Sequence, residues 1–151
     1  MTPASGKWAQ VADSLNNREQ NVGPKATVLV VEDELLVRWA ITDHLQDCGF
    51  KVLGAANADE AIEALERYEG IVHLVFSDVQ MPGSMDGFGL AAWVRKHRPG
   101  TAVILTSGHA QAKDVAQELC DHIGEIVRKP YDFDALVKRM ERRLTAESTA
   151  A

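Results

Sequence analysis

The sequence predicts an α/β protein built on one doubly wound, five-stranded parallel sheet with helices on both faces. Three observations carry this expectation. Short apolar runs of strand length recur between Thr27 and Arg128. The clearest of them, "TVLVV" and "TAVILTS", are continuous rather than alternating, as befits strands covered on both faces. Each run is followed by a longer stretch with helical spacing, which implies successive strand–helix units feeding a parallel sheet. No internal repeat interrupts the pattern.

In chain order, residues 1–25 are polar, and "NNREQNVGPK" has the composition of a linker. Trp8, Val11, Ala12 and Leu15 do share helical spacing. The expectation is a flexible or loosely docked arm, then one domain over 26–146 and a short tail at 147–151. Thr27–Val31 is the first strand. In the stretch from Glu34 to Cys48, Val37, Ile41, Leu45 and Cys48 line one helical face, and Gly49 supplies the stop. "FKVLGAA" is a weaker strand. Asn57 and Glu60 have capping-box spacing, with Ala58, Ala61, Ile62 and Leu65 facing inward.

"IVHLVFS" is the third strand, and a helix runs from about Gly87 to His97, closed by Pro99-Gly100. "TAVILTS" is the fourth strand. Ala112, Val115, Ala116 and Leu119 mark a further helix, "EIVR" a short fifth strand, and Phe133, Leu136, Val137, Met140 and Leu144 the stripe of the last helix.

The bulk properties narrow the function. A chain of 151 residues, 46% hydrophobic and 25% charged, is ordinary for one globular domain. A formal net charge of -6 argues against nucleic acid or an anionic membrane as partner. No long apolar span or signal-peptide core is present, so the expected setting is the cytoplasm. Cys48 and Cys120 are far apart and read as reduced thiols; the neighbouring His44 and His122 are read as coincidence, for want of further soft ligands. Lys138, Arg139, Arg142 and Arg143 read as a solvated helix face, with a contact surface for an acidic partner or a second copy as the sharper alternative.

In a doubly wound sheet, ligands bind beyond the carboxyl ends of the strands. Glu32 and Asp33 follow the first strand, and Asp78 ends the third. The fourth ends in Thr106-Ser107-Gly108 and the fifth in Lys129-Pro130. Three converging carboxylates repel one another unless a hard cation joins them, and Mg²⁺ takes such oxygen ligands. With a hydroxyl and a lysine added, the set suits a phosphoryl group. A carboxylate beside a metal can itself be the nucleophile, giving an aspartyl phosphate.

On these residues the chain, from about Thr27 to Leu144, resembles the receiver domain of bacterial two-component response regulators, a flavodoxin-like fold. The resemblance implies that Asp78 is the phosphoacceptor. It implies that Glu32, Asp33, Asp78 and the backbone carbonyl of Gln80 hold Mg²⁺, with Mn²⁺ as an alternative ion. Ser107, preferred to Thr106, matches the hydroxyl that binds a phosphoryl oxygen, and Lys129 matches the family's lysine, with a cis bond to Pro130. Gln80 and His109 stand where the family tunes phosphate lifetime. Ile126 replaces the aromatic residue that many members use as a switch, leaving the fourth and fifth strand–helix units to carry output. Gly83-Ser84 looks like an insertion at the mouth of the site.

The implied function is a phosphoacceptor signalling protein, not an enzyme acting on external substrates. Its donor is a sensor histidine kinase or phosphotransfer protein. Because no effector motif follows "ERRLTAESTAA", the expectation is a stand-alone receiver that signals by protein contact or drains phosphate, with pairing to a second copy on phosphorylation left open. The alternative is a pseudo-receiver that binds protein without phosphorylation.

Two other readings fit less well. "GFGLAA" at 87–92 matches a dinucleotide fingerprint but does not directly follow a strand. A phosphatase with an aspartyl intermediate commonly has an acid where this chain has Gln80.

Overall fold

The computed structural model of the chain describes residues 25–107 and 125–150. The strands are β1 (Thr27–Val31), β2 (Lys51–Ala55), β3 (Leu74–Asp78), β4 (Ala102–Ser107) and β5 (Glu125–Arg128). The helices are α1 (Leu35–Asp47), α2 (Ala58–Arg67), α3 (Gly87–His97) and α4 (Phe133–Ala150). All strand pairs are parallel, in the order β2-β1-β3-β4-β5. The expected amino-terminal arm, the expected helix around Ala112–Leu119, and Gly108, His109, Cys120 and His122 lie outside the described residues.

Continuous apolar strands make sense here because side chains from each strand enter two separate cores. One core joins Leu29, Val31, Val75, Val103 and Leu105 to the inward faces of α2 and α3. The other joins Val28, Val30, Leu74, Phe76, Ile104 and Val127 to α1 and α4. Successive strand residues point to opposite faces, so burial on both sides demands the unbroken run. The stripes of the helices match: Ile41 and Leu45 on α1, Ala58, Ala61 and Leu65 on α2, and Leu136, Val137 and Met140 on α4 are buried.

The helix ends follow from local chemistry. Gly49 has φ of 98°. Its N–H donates to the Gln46 carbonyl and that of Phe50 to Leu45, a Schellman ending. Asn57 Oδ1 accepts from the Glu60 N–H at 2.8 Å. Glu60 in turn accepts from Ala56 at 3.1 Å, one residue before the cap. Asp86 Oδ1 caps α3 through the Gly89 N–H at 2.9 Å.

Two boundaries differ from the sequence reading by more than one residue. β3 begins at Leu74, not Ile71, and includes Asp78 as its last residue. Ile71 is 73% exposed, and Val72 and His73 form a connecting segment, where the His73 N–H bonds to the Thr27 carbonyl. An apolar residue is free to face water, so hydrophobicity alone overextended the strand. At the other end, α4 continues through Ala150, into the stretch expected to be a tail.

Candidate phosphoryl and metal site

The sheet order reverses at β1: β2 lies on one side of it and β3 on the other. The helices leaving β1 and β3 therefore depart to opposite faces, which opens a crevice at the carboxyl ends of those two strands. Glu32, Asp33 and Asp78 stand there. Their carboxylate oxygens include one from each residue, all within 4.8 Å of one another. Glu32 and Asp78 are buried, and Asp33 is exposed. An open crevice of about 510 Å³ lies over them, lined by Asp33, Glu34, Asp78, Gln80, Met81, Pro82 and Lys129.

Each carboxylate is held differently. Asp78 Oδ2 accepts from Lys129 Nζ at 3.0 Å, and its Oδ1 from the Gln80 N–H at 3.3 Å. Glu32 Oε1 accepts from the Glu34 N–H at 3.2 Å. The Glu32 carbonyl accepts from Arg38 Nη1 at 2.7 Å, which ties the end of β1 to the first turn of α1. Burial pushes the Glu32 carboxyl above its ordinary value, and the Asp78 charge adds to this, against the Glu34 N–H and Lys129. The donor set, all oxygen and net negative, fits a hard divalent ion such as Mg²⁺.

Lys129 reaches Asp78 from the far side of β4. Its N–H donates to the Ser107 carbonyl at 2.9 Å, so the β4–β5 ladder continues to the lysine itself. The Lys129–Pro130 bond is cis. Ser107 and Thr106 are both buried at the end of β4. Ser107 lies on the α2/α3 side with Leu105, and Thr106 on the side of Asp78, by strand alternation. Ile126 is partly buried against the α2/α3 core, paired with Leu105.

On the loop after Asp78, Met81 and Pro82 line the crevice. Gly83 has φ of 111°, and the Ser84 hydroxyl lies 3.3 Å from each Asp59 carboxylate oxygen. The loop is thereby tied to the start of α2.

Three contributors were not legible in the sequence. Arg38 is one. Gly87 is another: its N–H donates to the Val79 carbonyl at 2.8 Å, directly behind the acidic residue. The third is Tyr131, which packs edge-on to Phe76 with ring centroids 5.8 Å apart. Burial, and then the charges of Glu32 and Asp78, push its phenol up to about 12. Its place directly after Lys129-Pro130 was the available signal.

Away from the crevice, His44 Nε2 lies 3.8 Å from Cys48 Sγ and 3.5 Å from Asp134 Oδ1, joining α1 to α4. Lys138 and Arg142 are exposed on α4, while Glu141 between them pairs with Lys25 at 3.2 Å. No helix among the described residues is long and apolar enough to cross a membrane.

The family model of the response regulator receiver domain matches residues 28–141. A sensor kinase CckA of Brucella abortus is 37% identical over 119 residues, covering 79% of this chain and 12% of that protein. A putative NtrX-like response regulator of Rickettsia felis is 33% identical over 116 residues, covering 76% of this chain and 24% of its own length. The chain thus spans a quarter or less of these relatives, and the expectation of a stand-alone unit draws no support from them. Among solved structures, a CheY-like receiver domain protein from Methanospirillum hungatei superposes with a TM-score of 0.75 at 23% identity, covering 83% of this chain and 98% of that one. NtrX from Brucella abortus gives a TM-score of 0.73 at 29% identity, over 83% of this chain and 28% of the other.

Proposed function

The chain belongs to the response regulator receiver-domain family, and from that premise we propose that it accepts a phosphoryl group on Asp78 from a phosphohistidine and signals through the change. The observation that carries the proposal is the 3.0 Å contact of Lys129 Nζ with Asp78 Oδ2 inside a cluster of three carboxylates. A buried aspartate with one lysine partner is a salt bridge. With two further acids and an open crevice beside it, the same aspartate is an acceptor awaiting a cation and an anion.

In the proposed reaction an Asp78 carboxylate oxygen attacks phosphorus. The new O–P bond forms as the P–N bond to the donor imidazole breaks, and the imidazole leaves with the electron pair and takes up a proton. Glu32, Asp33, Asp78 and the Gln80 carbonyl would hold Mg²⁺, or Mn²⁺ in its place, which when bound would supply positive charge to offset that of the carboxylates and the incoming phosphoryl group. Lys129 neutralises Asp78 before transfer and follows the charge to a phosphoryl oxygen afterwards. Ser107 is proposed to bind another of those oxygens. The Gln80 N–H keeps the second carboxylate oxygen oriented throughout.

The donor is proposed to be a sensor histidine kinase or a phosphotransfer protein in the cytoplasm. Output is proposed to pass through β4, β5 and α4, because Lys129 and Ser107 join the site to those elements. A partner, including a second copy of the chain, responds only if it binds the two states with different affinity. The domain assists its own phosphorylation and dephosphorylation rather than turning over external substrates.

Intact-protein mass after incubation with acetyl phosphate tests this, with and without Mg²⁺, for wild type and Asp78→Asn. One Mg²⁺-dependent phosphoryl adduct, absent from the folded variant, is the expected result. Equal labelling of the variant would assign the wrong aspartate. No adduct from acetyl phosphate or from a phosphohistidine protein would leave a module that binds protein without phosphorylation.

A further inference from the structure

Thr106 is 1% exposed, and among the described residues its Oγ1 has no hydrogen-bond partner. Buried hydroxyls in native proteins are nearly always paired, so an orphan calls for a reason. Valine has almost the same shape and would fill the position without an unpaired polar atom. The neighbours of the hydroxyl suggest the reason. In the strand ladders Thr106 is the register partner of Asp78 on one side and of Val127 on the other. Ile104 and Phe76, two residues earlier on their strands, are paired with each other and lie in the α1/α4 core, as does Val127. By alternation Thr106 and Asp78 project on that same side, one row nearer the crevice. Val127 offers no polar atom. Within its row, Asp78 is the one polar side chain beside the orphan.

We propose that Thr106 is a positioning residue for the phosphorylated form, donating its hydroxyl proton to the acyl oxygen of Asp78. This rests on Asp78 being the phosphoacceptor. In the unmodified protein the two Asp78 oxygens are served by Lys129 and by the Gln80 N–H. On phosphorylation one oxygen becomes the bridging ester atom and the other the acyl carbonyl. Lys129 follows the charge outward, and the carboxyl end keeps only the Gln80 N–H, which leaves a place for a second donor. When the phosphoryl group is lost, water attacks phosphorus and the bond from phosphorus to the Asp78 oxygen breaks. Its electron pair returns to the carboxylate, and the water's proton leaves with inorganic phosphate. A donor on the acyl oxygen is strengthened as that negative charge develops, so Thr106 shortens the lifetime of the phosphorylated state.

The test loads wild type, Thr106→Val and Thr106→Ser with acetyl phosphate or a phosphohistidine protein, removes the donor, and follows the decay of the adduct by intact mass. Thr106→Val is expected to melt no lower than wild type and to keep its phosphoryl group roughly three- to tenfold longer, the range of one net hydrogen bond. Thr106→Ser, which retains the hydroxyl, is expected to decay at the wild-type rate. If Thr106→Val does not fold, Thr106→Ala carries the same expectation for lifetime. Decay of the folded valine or alanine variant within about twofold of wild type, well short of the effect of one hydrogen bond, would overturn the assignment and leave the orphan a packing feature. Absence of any adduct on wild type would instead remove the phosphoacceptor reading, and Thr106's role with it.

Discussion

Gly87 stands where no side chain fits. A Cβ built there would lie 2.4 Å from the Asp78 carbonyl oxygen and 2.7 Å from Val79 Cα, both backbone atoms. Neither can swing aside as a flexible side chain would. Gly87→Ala therefore has to displace the end of β3, which carries the proposed acceptor, or the start of α3. Overpacking of this kind costs about 1–3 kcal/mol. Denaturant unfolding of Gly87→Ala should show that loss, and labelling by acetyl phosphate should slow with it. A stability change under about 0.5 kcal/mol, the level of an ordinary surface substitution, would mean that the β3–α3 approach is looser than it looks. Asp86 beside it has a different task, capping α3 through the Gly89 N–H. Two adjacent residues thus fix the helix against the strand, one by being absent as a side chain and the other by a hydrogen bond.

At the scale of elements, α1 shows two faces. Ile41 and Leu45 are buried against the sheet, whereas Leu35, Leu36 and Trp39 are 66%, 80% and 65% exposed. These three begin one residue after Glu34, which lines the crevice. Leu35 and Trp39 are one turn apart and form a single patch with Leu36. An apolar patch at the rim of the proposed phosphoacceptor site suits the protein that would bring the phosphoryl group. Trp39→Ala should lower the rate of transfer from a phosphohistidine protein by about tenfold or more, as expected for a tryptophan anchor, while labelling by acetyl phosphate stays unchanged. Equal loss with both donors would place the effect in the site rather than in docking. The same helix shows what the sequence could and could not display. Its buried stripe and its glycine stop were legible because both are local patterns. So was the position of Asp78 and Lys129 at strand ends, since a parallel sheet gathers those ends. The Arg38 bond to the Glu32 carbonyl, the place of Tyr131 against Phe76 and the close approach of Gly87 arise only when distant elements meet. Ile71 failed for the opposite reason: it is apolar but outside the core, and β3 is shorter than its hydrophobic run.

For the molecule as a whole, the acidic cluster sets stability against function. Burial and the neighbouring Asp78 raise the Glu32 carboxyl above its ordinary value of 4.5. The folded state therefore holds a proton over a pH window in which the unfolded chain has already released it. Stability then falls as pH rises from the unfolded value through the raised one, and the full penalty is present above it. Glu32→Gln removes that charge. Without divalent ions the variant should melt above wild type at pH 7, and the difference should vanish below the unfolded value. Mg²⁺ is expected to reverse the order, because the proposed site for it exists only in the folded, ionised cluster. At about a hundred times its dissociation constant it should add about 2.7 kcal/mol to wild type, or roughly 5–11 °C in melting temperature for a chain of this size. The variant, short of one ligand, should gain much less at the same concentration. Melting curves of both proteins, with Mg²⁺ and with a chelator, decide the matter. If wild type is the more stable with and without the ion, Glu32 is a structural acid; if the order inverts, the carboxylates are kept close at a cost to the empty protein because the ion and the phosphoryl group need them there.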